Sequence, residues 1–394
     1  METENGIVKM TKTFLSYNNI FSSLGLDSET VIENMVQGKT GLKKYEDTSL
    51  LPVPFCASRV TSEIVNEQFN KIADASKFTK LEKMLIASLN EVVKASNISL
   101  NEKVGLIIST TKGNIDVLEK NSGFPESRAY LSELGKTIQN FFGFKNEAIV
   151  LSNACVSGVL AISVAKRFIS EGKYNHVFIT SGDLVSKFIL SGFNSFQALS
   201  DEPCKPYDKN RVGINLGEVA ASVLVTSEES KLPNEAVEIL GDATCNDANH
   251  ISGPSRTGEG LYRSIKAALN EANLTASQID YISAHGTATL FNDEMEAIVF
   301  NRLGMEKVPL NSLKGYFGHT LGASGLLETI VGMHFMERNI LFYSKGFSDL
   351  GVSKEINVIK ENESKKLHFF LKTASGFGGC NSAVIFKKQT TNLK

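Results

Sequence analysis

The sequence predicts a layered α/β protein with mostly buried sheets. Two observations carry that expectation. Short apolar runs rich in β-branched residues alternate with longer stretches of helical periodicity, and the runs are apolar throughout instead of at every second position. With 394 residues, the chain can bury a large core and has room for two domains or one double-sized unit.

Val104–Ser109, Ala148–Leu151, Val177–Thr180, Ala220–Val225 and Ile279–Ser283 read as buried strands. Between them, Gly158–Ile169 is apolar nearly all round, as in an interior helix, and Glu259–Ala272 places Leu261, Ile265, Leu269 and Ala272 on one face. His176–Gly182 and Asp280–Gly286 form a faint internal echo, each an apolar strand that follows a helix and ends near glycine. Near the end, Leu367–Thr373 and Ser382–Lys387 read as two strands around Ala374-Ser-Gly-Phe-Gly-Gly-Cys-Asn381. Those glycines exceed what a hairpin needs and permit unusual backbone angles and close approach to a ligand or another segment. Glu361–Ser364 reads as a surface loop and Gln389–Lys394 as a frayed end.

Composition excludes several classes. Hydrophobic residues make up 42% and charged residues 21%, as in a soluble globular enzyme. A net charge of −2 argues against a nucleic-acid or anionic-membrane binder, leaving only a local basic patch open. The five cysteines, Cys56, Cys155, Cys204, Cys245 and Cys380, are scattered without a C-x-x-C pair, so neither a disulfide framework nor a structural zinc site is suggested. No signal peptide is visible, and no run approaches the roughly 18–20 apolar residues of a membrane span. A reducing cytoplasm is therefore expected.

Cys155 lies in Leu151-Ser-Asn-Ala-Cys-Val-Ser-Gly158, where a strand turns into a helix. A helix start lowers a thiol pKa through its unpaired N–H groups and partial positive charge, and the small neighbours leave room above the sulfur. Alone, such a cysteine is more often structural. Two glycine-framed histidines change the balance: His285 in Ala-His-Gly-Thr at a strand end, and His319 in Phe-Gly-His-Thr. Gly322, Ala323, Ser324 and Gly325 after His319 suggest a helix start packed against other backbone. One thiol and two such histidines suit an acyl-carrying cysteine enzyme. Asp293, Glu296, Lys314 and Glu328 stand close by in sequence; each taken singly reads as a solvated surface charge. Neither a dinucleotide nor a P-loop glycine motif is present, nor an H-E-x-x-H.

In order, these segments read A-C-x-S (Ala154–Ser157), H-G-T-x-T-x-x-x-D-x-x-E (His285–Glu296), K-x-x-x-G-H-x-x-G-A-x-G-x-x-E (Lys314–Glu328) and G-F-G-G-x-N (Gly376–Asn381). Pro206-Tyr-Asp-Lys-Asn-Arg-Val-Gly213, Gly192-Phe193, Ala198–Ser200, Ile20–Gly25 and Gly38–Gly41 fit the same pattern. The chain thus resembles, over nearly its whole length, the β-ketoacyl-[acyl carrier protein] synthases, Cys-His-His condensing enzymes. The resemblance implies a thiolase fold of five layers, α-β-α-β-α, in two pseudo-symmetric halves. Residues 1–236 would carry the nucleophile and 237–394 the two histidines. It implies decarboxylative condensation of an acyl-Cys155 thioester with malonyl-acyl carrier protein, with His285 and His319 donating to the enolate. Cys155 and Phe377 N–H groups would form the acyl oxyanion hole. Lys314 and Glu328 would support the site, with Asp293 and Glu296 behind them. Phe377 would act as a gate, freed by Gly376, Gly378 and Gly379, while Thr287, Thr289, Phe193 and Phe196 would meet the substrate. Thr111 is a further candidate for shaping the pocket. Neither cofactor nor metal is implied. The partners implied are the acyl carrier protein and a second subunit, identical or of chain-length-factor type, with Lys205, Lys209 and Arg211 as candidate contacts to an acidic carrier.

Some positions depart from the family pattern. Ser16-Tyr-Asn-Asn19 replaces a strand-end T-G-x-G, Asn153 precedes Ala154-Cys155, Val156 follows it, and Leu290-Phe291 replaces a proline-led stretch. They mark a divergent member, and Lys314–His319 is similar to ketosynthases of aryl-polyene or flexirubin-type pigment pathways. Three other readings compete. A thiolase would use Cys380 as a second active cysteine; a starter synthase would carry asparagine in place of His319; a non-catalytic chain-length partner would lack Cys155.

Overall fold

Ten strands join into one continuous sheet in the computed structural model, which describes residues 11–119, 122–247 and 253–389. They are β1 (Phe14–Ser22), β2 (Val104–Ser109), β3 (Ile149–Leu151), β4 (His176–Asp183), β5 (Val219–Thr226), β6 (Val237–Asn246), β7 (Tyr281–Ser283), β8 (Leu310–Asn311), β9 (Phe369–Ser375) and β10 (Cys380–Lys388). Apolar, β-branched residues fill most of them because helices cover both faces.

The spatial order is β8-β7-β9-β10-β6-β1-β5-β4-β2-β3. Its two halves repeat one plan. In the first, β2 is parallel to β3 and β4, β4 is antiparallel to β5, and β5 to β1. In the second, β7 is parallel to β8 and β9, β9 is antiparallel to β10, and β10 to β6. Each strand thus has its counterpart five strands later. The echo seen in the sequence chose the wrong pair: it matched β4 with β7, whereas β7 corresponds to β2. Apolar character and a terminal glycine are shared by too many buried strands to identify counterparts.

Helices follow the same repeat: α1 (Lys80–Ser96), α2 (Leu131–Phe142) and α3 (Ser157–Ser170) in the first half, and α4 (Glu259–Ala272), α5 (Leu290–Arg302) and α6 (Ser324–Arg338) in the second. α1 covers β1, β4 and β5, and α4 covers β6 and β10. α3 and α6 pack on each other and touch strands of both halves, forming the central layer. Because β1 and β6 join over only two residue pairs, the halves of the sheet form two β layers around α3 and α6, which gives the five layers expected from the resemblance. Glycine lets the two central helices approach: a Cβ on Gly158 would lie 2.6 Å from Leu326 N, and one on Gly325 would lie 2.7 Å from Val159 N.

Two of the predicted elements, β2 and α4, have the expected bounds; β3 starts one residue later, and β9 and β10 run on into the glycine loop. Glu361–Ser364 is not wholly a loop. Glu363 and Ser364 pair antiparallel with Leu341 and Ile340, because their backbone meets an open strand edge while both side chains stay exposed. Of the end expected to fray, 390–394 lie outside the described residues. Among the described residues, no helix is long and apolar enough to cross a membrane.

Candidate active site

The turn from β3 into α3 delivers the thiol. Ala154 takes a left-handed φ of +45°, a state uncommon for a non-glycine residue that costs about 1–3 kcal/mol. Ser157 holds this turn: its Oγ accepts the Asn153 N–H at 2.8 Å and donates to the Ala154 carbonyl at 2.6 Å. Cys155 is left 8% exposed, lining a cavity. The glycine loop passes beside it, where a Cβ on Gly376 would lie 3.1 Å from Cys155 N and 3.2 Å from Ala154 Cβ. Gly376 is therefore required by close approach, while Gly378 and Gly379 are required by φ values of +86° and +80°.

His319 reaches the sulfur, with Nε2 at 3.0 Å from Cys155 Sγ. Its tautomer follows from the other nitrogen. The Leu321 N–H donates to Nδ1 at 3.2 Å, and the Ser324 hydroxyl lies 2.8 Å from the same atom. A neutral imidazole that accepts at Nδ1 carries its proton on Nε2, so His319 donates toward the sulfur. His285 stands edge-to-face with it, ring centroids 5.2 Å apart. Reactive atoms of Cys155, His285 and His319 all lie within 4.8 Å of one another. Such a trio could in principle hold an ion, but a metal ligand needs a free lone pair on Nε2, which the His319 tautomer denies.

Burial pushes both imidazoles well below the ordinary histidine value, and Lys314 and Lys372 push them further. Both are neutral. Burial pushes the Cys155 thiol up to about 12, with Cys380 adding to the rise. The lowered thiol pKa expected of a helix start is thus reversed: desolvation of the sulfur outweighs the helix end, and the resting group is a thiol.

Asp293, Glu296, Lys314 and Glu328 are all buried, which overturns the solvated-charge reading of each. They are buried because backbone groups need them. Glu296 accepts the His285 and Gly286 N–H groups at 2.9 and 2.7 Å, and Asp293 accepts those of Thr287 and Tyr207 at 2.9 and 2.7 Å. Burial raises Asp293 to about 7. Lys314 Nζ donates to the His285 carbonyl and to Glu328 Oε1, both at 2.7 Å.

A cavity of about 620 Å³ opens over the trio. Thr287, Thr289, Phe193, Phe196 and Phe377 are on its wall. Phe377 stacks on Phe193 at 5.7 Å and meets the edge of Phe196 at 5.4 Å. Leu290 and Phe291, 60% and 74% exposed, also belong to this wall. Gly378 and Thr111 do not line it; Thr111 instead donates its N–H and hydroxyl to Asp183. Cys380 does not line it either, and its sulfur faces the Phe377 carbonyl at 3.4 Å. Arg211 is buried, its Nη1 donating to the Asp208 and Gly351 carbonyls, so it is no exposed docking cation. Lys209 is paired with Asp349 at 3.0 Å.

Two buried charges next to the site escaped the sequence reading. Asp183, at the end of β4, accepts from Thr110 and Thr111 and from the Gly322 N–H at 2.8 Å, tying the loop after His319 to the first half. Lys372 donates to Glu328 Oε2 from the middle of β9. The available signal was an ionisable residue on the inward face of a strand otherwise apolar.

Comparison with known proteins agrees with this geometry. Residues 19–231 match the β-ketoacyl synthase N-terminal domain, and 236–347 match the β-ketoacyl synthase C-terminal domain. A putative mitochondrial 3-oxoacyl-[acyl-carrier-protein] synthase of Schizosaccharomyces pombe is 30% identical over 93% of this chain and 96% of its own. The 3-oxoacyl-[acyl-carrier-protein] synthase 2 of Vibrio cholerae is 27% identical over 94% and 97%. Among solved structures, the ketosynthase ApeO of Xenorhabdus doucetiae, in complex with its chain length factor ApeC, superposes with a TM-score of 0.84 at 23% identity, covering 99% of this chain and 100% of that one. The ishigamide ketosynthase/chain length factor gives a TM-score of 0.86 at 20% identity, covering 97% and 100%. The architecture is the thiolase fold these ketosynthases share. The chain belongs to the β-ketoacyl synthase family, acyl-transferring enzymes that condense chains in fatty-acid or polyketide elongation.

Proposed function

We propose that Cys155 carries the growing chain as a thioester, with residues 1–236 supplying this nucleophile and residues 237–394 its two donors. The observation that carries the reading is the 3.0 Å contact between Cys155 Sγ and the protonated Nε2 of His319, with His285 beside it at the floor of the cavity. Cys155 sulfur attacks the carbonyl of an acyl-carrier thioester; its proton leaves with the carrier thiol. Backbone N–H groups of Cys155 and Phe377 receive the tetrahedral oxyanion. A malonyl-carrier then enters, its carboxylate departs as CO2, and the electron pair left behind forms an enolate whose oxygen accepts from Nε2 of His285 and His319. The enolate carbon attacks the acyl carbonyl, and Cys155 leaves as thiolate. Neutral imidazoles suit this role, because each keeps one N–H to give.

Phe377 serves as the gate. Stacked on Phe193 and edge-on to Phe196, it shares the cavity wall with the nucleophile, and the positive-φ glycines behind it supply the hinge. Thr287 and Thr289 face the carrier's pantetheine arm. The partners are a carrier protein and a second subunit in a reducing cytoplasm, although the fission-yeast relative is mitochondrial. An identical second subunit is the first reading. A chain-length-factor-like one is the alternative, with an aryl or polyene acyl chain as cargo; it is favoured by four phenylalanines, Phe193, Phe196, Phe291 and Phe377, along the cavity. Flat conjugated chains stack well on such a wall.

Intact-protein mass spectrometry tests both readings. After incubation with short, long, unsaturated and aryl acyl-carriers, an acyl adduct is expected on the wild type and not on Cys155→Ala. The ranking of adducts names the cargo, and no adduct with any carrier would sink the synthase assignment of Cys155.

A further inference from the structure

Lys372 lies on β9 between Phe370 and Ala374, all three on the face toward the central helices, and is fully buried. Its Nζ donates to Glu328 Oε2, to the Ser283 carbonyl at 3.1 Å and to the Ala284 carbonyl at 3.4 Å. Lys314 holds the other carboxylate oxygen and the His285 carbonyl. Three consecutive carbonyls, of residues 283, 284 and 285, therefore end on two ammonium groups that share one carboxylate.

One lysine would satisfy Glu328. Burying a second charge on a strand face is unfavourable, and an apolar side chain of similar length would fill the space. The arrangement calls for something that only the second charge provides. Among the groups on which its charge acts, His285 and His319 carry no counter-charge. The other charged or titratable groups facing Lys372 are already engaged: Glu328 by both lysines, Glu296 of α5 by the His285 and Gly286 N–H groups and the Tyr207 hydroxyl, and Tyr281 by Asn311.

We propose that Lys372 is a positioning residue for the condensation: together with Lys314 it fixes the backbone that bears His285 and holds His285 and His319 in the neutral donor form as the medium becomes acidic. This rests on the reading of the two imidazoles as neutral donors to the enolate. A cation near an imidazole disfavours imidazolium, so it lowers the pKa; removing it raises the pKa and moves the acid limb of the rate profile to higher pH. The direction of the histidine shifts agrees, since Lys372 acts on both.

The test is the pH dependence of kcat and kcat/KM for the full-length enzyme with acyl- and malonyl-carriers. In Lys372→Met the acid limb is expected to move up by about one pH unit, and in Lys372→Arg, which keeps the charge, to stay at the wild-type position. Lys372→Gln retains donors for the carbonyls without the charge and stands in if the methionine variant does not fold; it is expected to shift like Lys372→Met. NMR titration of 13C-labelled histidine in the unliganded protein reads the same shift without turnover. A limb unmoved in the uncharged variants, or moved equally in Lys372→Arg, overturns the proposal. A wild type that forms no β-ketoacyl product while its histidines still respond to Lys372 overturns the condensation reading instead.

Discussion

At the scale of the residue, the proposed cycle gives the two histidines separable tasks. Only His319 touches the sulfur, and its Nε2–H is fixed by the Leu321 N–H on the far side of the ring. Because the thiol is held near 12, the thiolate depends on that donor. His319→Ala is expected to slow iodoacetamide alkylation of Cys155 at pH 7 by about 10- to 100-fold, the worth of one hydrogen bond to a charged group. His285→Ala should leave alkylation near wild type while condensation falls about a hundred- to a thousandfold, as for the loss of one oxyanion donor. Equal loss in both assays would merge the roles. Burial and two lysines keep both imidazoles unprotonated, so the wild-type rate should show no histidine limb between pH 8 and 6. Cys155, His285 and His319 were legible as a group because their residue types and glycine frames single them out, and the structure brings the three together. Lys372 and Asp183 were not: the only local signal is an ionisable residue within a buried strand, and their partners Glu328 and Gly322 lie 44 and 139 residues away.

At the scale of the element, legibility followed periodicity. β2 and α4 emerged with their observed bounds because an unbroken apolar run and a one-sided stripe each fit a single template. α1 was not among the expected helices, although Thr79 and Glu82 form a reciprocal capping box at its start, a signal that T-x-x-E before an apolar run does carry. The central helices depend on two glycines. Gly325→Ala would drive a methyl to 2.4 Å from Val159 Cγ2 and 2.7 Å from Val159 N. Overpacking of this kind costs about 1–3 kcal/mol, and the expected result is a Tm lower by several degrees together with weaker Cys155 labelling, since α3 follows the nucleophile. An unchanged Tm would mean that the helix pair slides apart freely.

Across the whole molecule, one apolar core spans both halves: Val159 and Ile162 of α3, Leu326 and Ile330 of α6, Val223 of β5 and Val384 of β10 belong to a single cluster. Residues 1–236 expressed alone would leave the α6-facing side of α3 in water. That fragment is expected to lack cooperative unfolding, whereas the full chain should give one calorimetric transition; two separate transitions would show independent halves. Apolar patterning alone reached only a layered α/β protein. The repeat was invisible to it, because counterpart strands share topology and burial but no recognisable sequence.

The same repetition has an electrostatic consequence. α3 begins two residues after Cys155 and α6 five residues after His319, and the two starts lie side by side, a Cβ on Gly158 falling 2.6 Å from Leu326 N. Each brings a partial positive charge at its first turn. In the proposed cycle, thiolate, tetrahedral oxyanion and enolate would all form in front of this pair, in a field that neither half generates alone. A cationic substrate mimic of the same shape would be repelled from the spot where the anions are welcomed.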